Sequence, residues 1–212
     1  FNGEIYNHFE LRKLVKDWAW SGHSDTETLL GLIQRFGIQN TLEKIKGMFA
    51  FVLFDQKKKI ISLIRDRMGE KPIYWGWNKN VFYFGSDLRS FFSYPDFMPD
   101  LNKEIIPGYL QLGYCPSPDT ILQGIKKLNP GTLLELDMTS LESQQNKFWN
   151  IEEIATNADK LHLGASDIVD RLHRLLSESV ARQMHSDVPI GAFLSGGIDS
   201  SLITSLMQKQ ST

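Results

Sequence analysis

Cysteine is nearly absent: Cys115 is alone among 212 residues. That excludes an internal disulfide framework and a cysteine-based zinc cluster, and a reducing, cytoplasmic setting is the expectation. Charge of one sign is lacking too, with 23 Lys and Arg against 25 Asp and Glu. Without a basic excess there is no electrostatic footprint for nucleic acid or for an anionic membrane surface. No apolar run reaches bilayer-spanning length, and no signal-peptide pattern opens the chain. The five histidines are scattered without metal-ligand spacing and are expected to be solvated or half-buried. Internal repeats and low-complexity segments are missing. So is an initiating methionine: the chain opens on Phe1 inside a motif and stops at Thr212 within a helical pattern, so it reads as a piece cut at both ends.

What is present suffices for one or two domains with a real core. Residues 8–18 and 25–36 are helix-like. The second opens on Ser24-Asp25-Thr26-Glu27, a capping-box pattern, and Gly37 is placed to end it. From Met48 the texture turns to short β-rich runs. Phe49–Phe54 and Ile60–Ile64 flank the turn Lys57-Lys58-Lys59, a solvated charge run. Ile73–Trp77 and Val81–Phe84 form a second hairpin around Asn78-Lys79-Asn80. Leu88–Phe92 and Lys103–Leu112 read as short helices, and residues 131–136 and 147–149 as closing strands. Residues 150–165 are polar and aperiodic, which assigns them to an interdomain linker between a first domain, 1–149, and a second, 166–212. Ser166 is expected to cap a helix with an apolar stripe at Ile168, Leu172, Leu175, Leu176 and Val180.

Val188–Leu194 has a buried-strand pattern and runs into Ser195-Gly196-Gly197-Ile198-Asp199-Ser200, after which a helix follows. Such an order has a physical use. The glycines let the backbone turn sharply, and amides at the turn and in the first helical turn converge into an anion cradle. Ser195 and Ser200 add hydroxyl donors, whereas Asp199 beside an anion makes sense with a cation such as Mg²⁺ between them. Gly197-Ile198 stands where a Walker loop needs Lys-Ser/Thr, so this is not a Walker NTPase. The string resembles the pyrophosphate loop of ATP pyrophosphatases. The resemblance implies that Ser195 to Ser200 hold the departing pyrophosphate, that Leu194 touches the nucleotide, and that Asp199 lies near the metal.

The opening Asn2-Gly3-Glu4-Ile5-Tyr6-Asn7 admits two readings. A carboxamide beside a glycine amide can supply two oxyanion donors for amide hydrolysis. An Asn-Gly turn before a helix capped by Asn7 is the plainer account, and spacing alone favours it. The segment, however, is similar to the glutamine-binding stretch of class II glutamine amidotransferases of the asparagine synthetase type. Further segments match in order: Ser24–Glu27, Gly47–Phe51, Arg65–Tyr74, Gly85–Leu88 and Gly124–Gly131. The resemblance implies an α/β chain: a layered α+β amidotransferase domain with antiparallel sheets, then the start of a parallel α/β nucleotide-binding domain. It implies Asn2 and Gly3 as oxyanion donors, and Asn2, Gly3, Glu4 and Asp25 as glutamine contacts, with Asp25 on the α-amino group. The Arg65-Asp66-Arg67 segment reads as structural. Glutamine, aspartate and ATP are the implied ligands, with Mg²⁺ as cofactor. The implied reaction is amidation of aspartate through a β-aspartyl-adenylate. A homodimer is left open.

The sequence departs from that family in lacking its nucleophile, an amino-terminal cysteine whose own amine acts as base. Cys115 is internal and cannot substitute, so the chain alone is expected to have no glutaminase activity. Two rival readings stand: the same architecture amidating another acceptor, and a non-catalytic relic of the fold. Amidotransferases of the phosphoribosyl or hexosamine type rank below both because they lack the Ser195–Ser200 loop.

Overall fold

The computed structural model describes residues 1–158, 163–186 and 188–211. Its elements are, in chain order, β1 (Asn2–Ile5), α1 (His8–Arg12), α2 (Asp25–Lys44), β2 (Gly47–Asp55), β3 (Ile60–Arg65), β4 (Tyr74–Asn78), β5 (Val81–Gly85), α3 (Ile106–Leu112), β6 (Ile125–Lys127), β7 (Thr132–Asp137), β8 (Ser143–Lys147), α4 (Ile151–Asn157), α5 (Ala165–Gln183) and α6 (Ile198–Gln210). Short 3-10 segments lie at Leu88–Ser93 and Lys103–Ile105. The chain divides into two units, Phe1–Ile154 and Ala155–Thr212.

The first unit has two antiparallel sheets, β1-β2-β3-β7-β8 and β5-β4-β6. Alternation along the strands builds two cores from one sheet. Ile5, Phe49, Phe51, Ile64 and Leu133 pack with Leu11, Leu29, Leu32 and Leu42 of the helices. Ala50, Leu63, Leu134 and Leu136 face the opposite way, onto Ile73, Trp75 and Leu128 of the smaller sheet's side. A third cluster, Tyr83, Phe91, Phe97, Leu122 and Ile125, closes the far side of the small sheet. The layers are therefore helix, large sheet, small sheet and an irregular aromatic cover. Each Leu of the first two cores is worth about 2–5 kcal/mol against alanine.

Several local expectations need correction. The helix over 8–18 stops at Arg12 and continues as turns through Trp18. Asn7 caps nothing with its side chain; it donates to the Lys44 carbonyl at 3.0 Å and accepts from Lys46 N–H at 2.8 Å, so it ties α1 to the end of α2. Gly37 breaks α2 at φ 79°, ψ 167°, but the helix resumes to Lys44. The last strand lies at 143–147 rather than 147–149. Residues 151–157 form α4, begun by Asn150, which accepts from Glu152 N–H and donates to Glu153.

In the second unit α5 starts after Gly164, so Ser166 lies inside the helix. Val180 of α5 and Leu206 of α6 are buried, and Gln210 of α6 donates to the Ser177 carbonyl of α5 at 3.0 Å. Ile168, Leu172 and Leu175 of its apolar stripe are exposed. The buried strand expected at 188–194 is not formed: no strand occurs among the described residues of this unit, and Phe193 is fully exposed. An apolar run becomes a strand only where a neighbour takes its N–H and C=O groups, and among the described residues none pairs with it.

Candidate functional site

β1 is the edge strand of the large sheet, and its outer edge is where the predicted residues gather. Tyr6 N–H bonds the Lys46 carbonyl at 2.8 Å, so the even-numbered amides of this strand face β2. Ile5 N–H turns the other way, to Asp25 Oδ2 at 2.9 Å. Alternation puts the Gly3 N–H on that same outer edge, two residues along. Phe49, opposite Gly3, directs both of its backbone groups to Asp66, consistent with this parity. Side chains alternate as well. Ile5 enters the helix-side core, so Asn2 and Glu4 lie on the other face, and there the Asn2 carboxamide donates to Ser86 Oγ at 3.2 Å.

Gly3 has a reason of its own to be glycine. Its φ is 142°, and an added Cβ would stand 2.1 Å from the Met48 carbonyl oxygen. Gly47, across the same strand pair, is equally confined by the Glu4 carbonyl at 2.0 Å. Close approach of β1 to β2 thus requires both glycines, whatever binds at the edge.

Asp25 opens α2. Ser24 is its N-cap and accepts from Glu27 N–H at 3.2 Å, but Glu27 does not return to Ser24, so only half of the capping box forms. Glu27 accepts instead from Ser21 N–H at 2.7 Å, Gly22 N–H at 2.9 Å and Trp18 Nε1 at 3.4 Å. The Ser21 amide first, with help from Gly22, Trp18 and the Arg12 guanidinium, holds its carboxyl below the ordinary glutamate value. Arg12 donates to Thr28 Oγ1 and the Gly22 carbonyl, both at 2.8 Å, and to the Ser24 carbonyl at 3.2 Å. Its guanidinium lies 4.4 Å over the Trp20 ring. The loop that delivers Asp25 is therefore clamped by a cation, Arg12, that sequence reading missed, and by an anion, Glu27, that it placed only in a capping box. Nothing local in the sequence links positions 12 and 27.

The Arg65-Asp66-Arg67 segment is structural, as its sequence suggests. Asp66 is buried and accepts from the amides of Phe49, Met68, Glu70 and Lys71. Arg65 donates to the carbonyls of Gly69, Lys71 and Leu128; Arg67 donates to those of Leu42, Glu43 and Ile45 at the end of α2. Burial first, then the carboxylates of Glu70, Glu4 and Asp66, hold the Tyr6 phenol above its ordinary value.

In the second unit Leu194 and Ile198 are exposed. Gly196 turns at φ 83°, with nothing within 4 Å of where a Cβ would be. Gly197 is the N-cap of α6 and no side chain caps the first turn, which contains Ile198, Asp199 and Ser200. Ser195 Oγ and Ser200 Oγ are 3.0 Å apart, and Ser200 Oγ donates to the Gly197 carbonyl at 3.1 Å. An uncapped helix start, an open glycine turn and two adjoining hydroxyls fit an anion. Asp199 is the only carboxylate in this stretch, and among the described residues no group of three metal-ligating side chains exists. Mg²⁺ would thus depend on phosphate oxygens for most of its ligands.

Of the histidines, His8 is buried against Phe9, a correction to the expected exposure, while His23, His173 and His185 are exposed. His162 lies outside the described residues, as does the middle of the expected linker. No helix among the described residues is long and apolar enough to cross a membrane.

Comparison with known proteins gives this geometry a family. Residues 1–149 match the glutamine amidotransferase domain, and residues 171–212 match asparagine synthase. A putative glutamine-hydrolyzing asparagine synthetase of Methanocaldococcus jannaschii is 35% identical over 211 residues, covering 99% of this chain and 40% of that protein. A glutamine-hydrolyzing asparagine synthetase of Bacillus subtilis is 32% identical, covering 99% of this chain and 32% of its own length. This chain therefore spans well under half of either relative. Among solved structures, the glutamine phosphoribosylpyrophosphate amidotransferase of B. subtilis superposes with a TM-score of 0.50 at 16% identity, over 98% of this chain and 43% of its own, which is a likeness of fold. The chain belongs to the glutamine amidotransferase domain family, and its two matched segments follow the order of the glutamine-hydrolysing asparagine synthetases.

Proposed function

We propose that the protein carrying this chain makes asparagine from aspartate, with glutamine as nitrogen donor and ATP as the activating substrate. The observation that carries the reading is β1 itself: the Gly3 amide shares the outer edge with the Ile5 amide, which holds the Asp25 carboxylate, and the neighbouring Asn2 carboxamide is held by Ser86. Glutamine would bind with its α-ammonium on Asp25 and with Glu4 nearby. Its side-chain carbonyl would lie against the Gly3 N–H and Asn2 Nδ2, where the negative charge of a tetrahedral intermediate develops. Cys115 is the sole thiol of these residues and lies in an internal loop, so a cysteine nucleophile with its own α-amine as base would have to be supplied by other residues. Glutamate and ammonia are the products.

In the second half of the reaction an oxygen of the aspartate β-carboxylate attacks the α-phosphorus of ATP and pyrophosphate leaves. Ammonia then displaces AMP from the acyl carbon. Activation is needed because a carboxylate is a poor electrophile. Ser195, Gly196, Gly197, Ile198, Asp199 and Ser200 would hold the pyrophosphate through hydroxyls and first-turn amides, with Leu194 against the nucleotide. Bound Mg²⁺ would offset charge on the phosphates, with Asp199 as its protein ligand.

The test is made on the full-length protein. Asp199→Ala should sharply lower aspartate-dependent pyrophosphate release while leaving glutamate formation largely intact. Undiminished pyrophosphate release would discard the loop assignment. Absence of glutamate formation by the wild-type protein would discard the amidotransferase half. The 212-residue chain alone is expected to form no glutamate, and formation of glutamate by it would contradict the missing nucleophile.

A further inference from the structure

An oxyanion donor works only if it is aimed before the charge appears. The Gly3 amide is aimed by the backbone of β1. Asn2 is not: it is an exposed residue at the start of the strand, and its carboxamide can rotate about two side-chain bonds. Something must hold it, and the large sheet itself supplies no such contact.

The holding group comes from the other sheet. Ser86 follows β5, and its Oγ lies 3.2 Å from Asn2 Nδ2, across 84 positions of sequence. Ser86 is itself fixed from both sides. Gly85 before it pairs with Tyr74 in the small sheet. Asp87 after it accepts from Arg89 N–H at 2.9 Å and grips the Arg89 guanidinium, while its carbonyl takes Ser90 N–H at 3.1 Å and Ser90 Oγ at 2.6 Å. A primary amide nitrogen has two N–H groups. With one engaged by Ser86, the carboxamide plane is set and the second is left for another acceptor.

We infer that Ser86 is a positioning residue for glutamine hydrolysis, its hydroxyl holding the Asn2 carboxamide so that the remaining N–H serves the oxyanion. This rests on the reading of the β1 edge given above. Its consequence is specific: Ser86 touches no substrate, so its loss acts on the transition state through Asn2 and leaves glutamine binding nearly alone.

The experiment measures glutaminase kcat and KM of the full-length protein with Ser86→Ala, Ser86→Thr and Ser86→Cys, each in wild-type and Asn2→Ala backgrounds. Ser86→Ala should lower kcat about tenfold, below the 10²–10³ typical of losing a donor outright, with glutamine KM unchanged within about twofold. Threonine, which keeps the hydroxyl, should restore most of the rate. In the Asn2→Ala background Ser86→Ala should have no further effect, since there is no carboxamide left to hold. An unchanged kcat, a loss confined to KM, failure of threonine to rescue, or the same loss in the Asn2→Ala background would each overturn the inference. If the alanine variant does not fold, the cysteine variant takes its place, with a fall in kcat expected and an unchanged kcat overturning. A wild-type protein that forms no glutamate would instead bring down the reading of the edge, a result distinct from all of these.

Discussion

Asp25 Oδ2 accepts the Ile5 amide at 2.9 Å, so the carboxylate proposed to bind glutamine also fastens α2 to the edge strand. The two jobs separate under substitution. Asp25→Asn keeps an oxygen for the Ile5 amide but removes the charge. It should raise glutamine KM at least about tenfold, the equivalent of about 1.4 kcal/mol, while shifting stability by less than about 1 kcal/mol. Asp25→Ala leaves the Ile5 amide without its acceptor and should cost a further 1–2 kcal/mol or so in denaturant unfolding. Unaltered KM in the asparagine variant would reduce Asp25 to a clamp on β1.

Asp66 has the opposite balance. It is about 1% exposed, and its two oxygens serve four backbone amides that hold the turn after β3. Truncation to alanine strands these donors in a site where water cannot readily replace the carboxylate. Asp66→Ala should lose at least about 3 kcal/mol by chemical denaturation. A loss under 1 kcal/mol would show that the turn holds itself.

Much of this architecture is legible in the sequence, for identifiable reasons. The β2–β3 hairpin is two nearly continuous apolar, β-rich runs around a charged turn, and Gly37 marks the break in α2 where it lies. α4 was legible in principle, since Asn150 followed by Glu153 is a local N-terminal signature. Other features have no local signal. β6 is three residues long and exists because Tyr74 to Gly76 pair with it. The 188–194 run looks like a strand because its composition is strand-like, yet pairing is a property of neighbours, and among the described residues none pairs with it. Asn2 and Gly3 were visible as a motif, whereas Ser86, Arg12 and Glu27 matter through contacts that only folding creates.

Glu27 gives a pH test. Its carboxylate takes the Ser21 and Gly22 amides and faces Arg12, so its folded value lies below the ordinary 4.5. A carboxyl depressed on folding contributes stability that is present above its ordinary value and is lost as pH falls through the lower folded one. Melting temperature should therefore decline below about pH 4.5 partly through Glu27, and Glu27→Gln should flatten that decline while lowering stability at pH 7. Parallel acid limbs for variant and wild type would exclude Glu27 as a source of the decline.

Gly3 and Gly196 both belong to motifs with a proposed ligand, but the reasons for glycine differ. At Gly3 a methyl would stand 2.1 Å from the Met48 carbonyl oxygen, and that atom is backbone, so β1 has to lift from β2. Gly3→Ala should lose about 3 kcal/mol or more and take glutamine hydrolysis with it. At Gly196 nothing lies within 4 Å, and the penalty is the left-handed φ of 83° alone, about 1–2 kcal/mol. Gly196→Ala should melt within a few degrees of wild type, yet its turn opens toward the proposed pyrophosphate, so ATP affinity by calorimetric titration should fall at least about tenfold. Melting and titration together decide the matter: a Gly196→Ala protein with undiminished ATP affinity would remove that turn from the nucleotide site, and a Gly3→Ala protein as stable as wild type would mean that the close approach of β1 to β2 is dispensable.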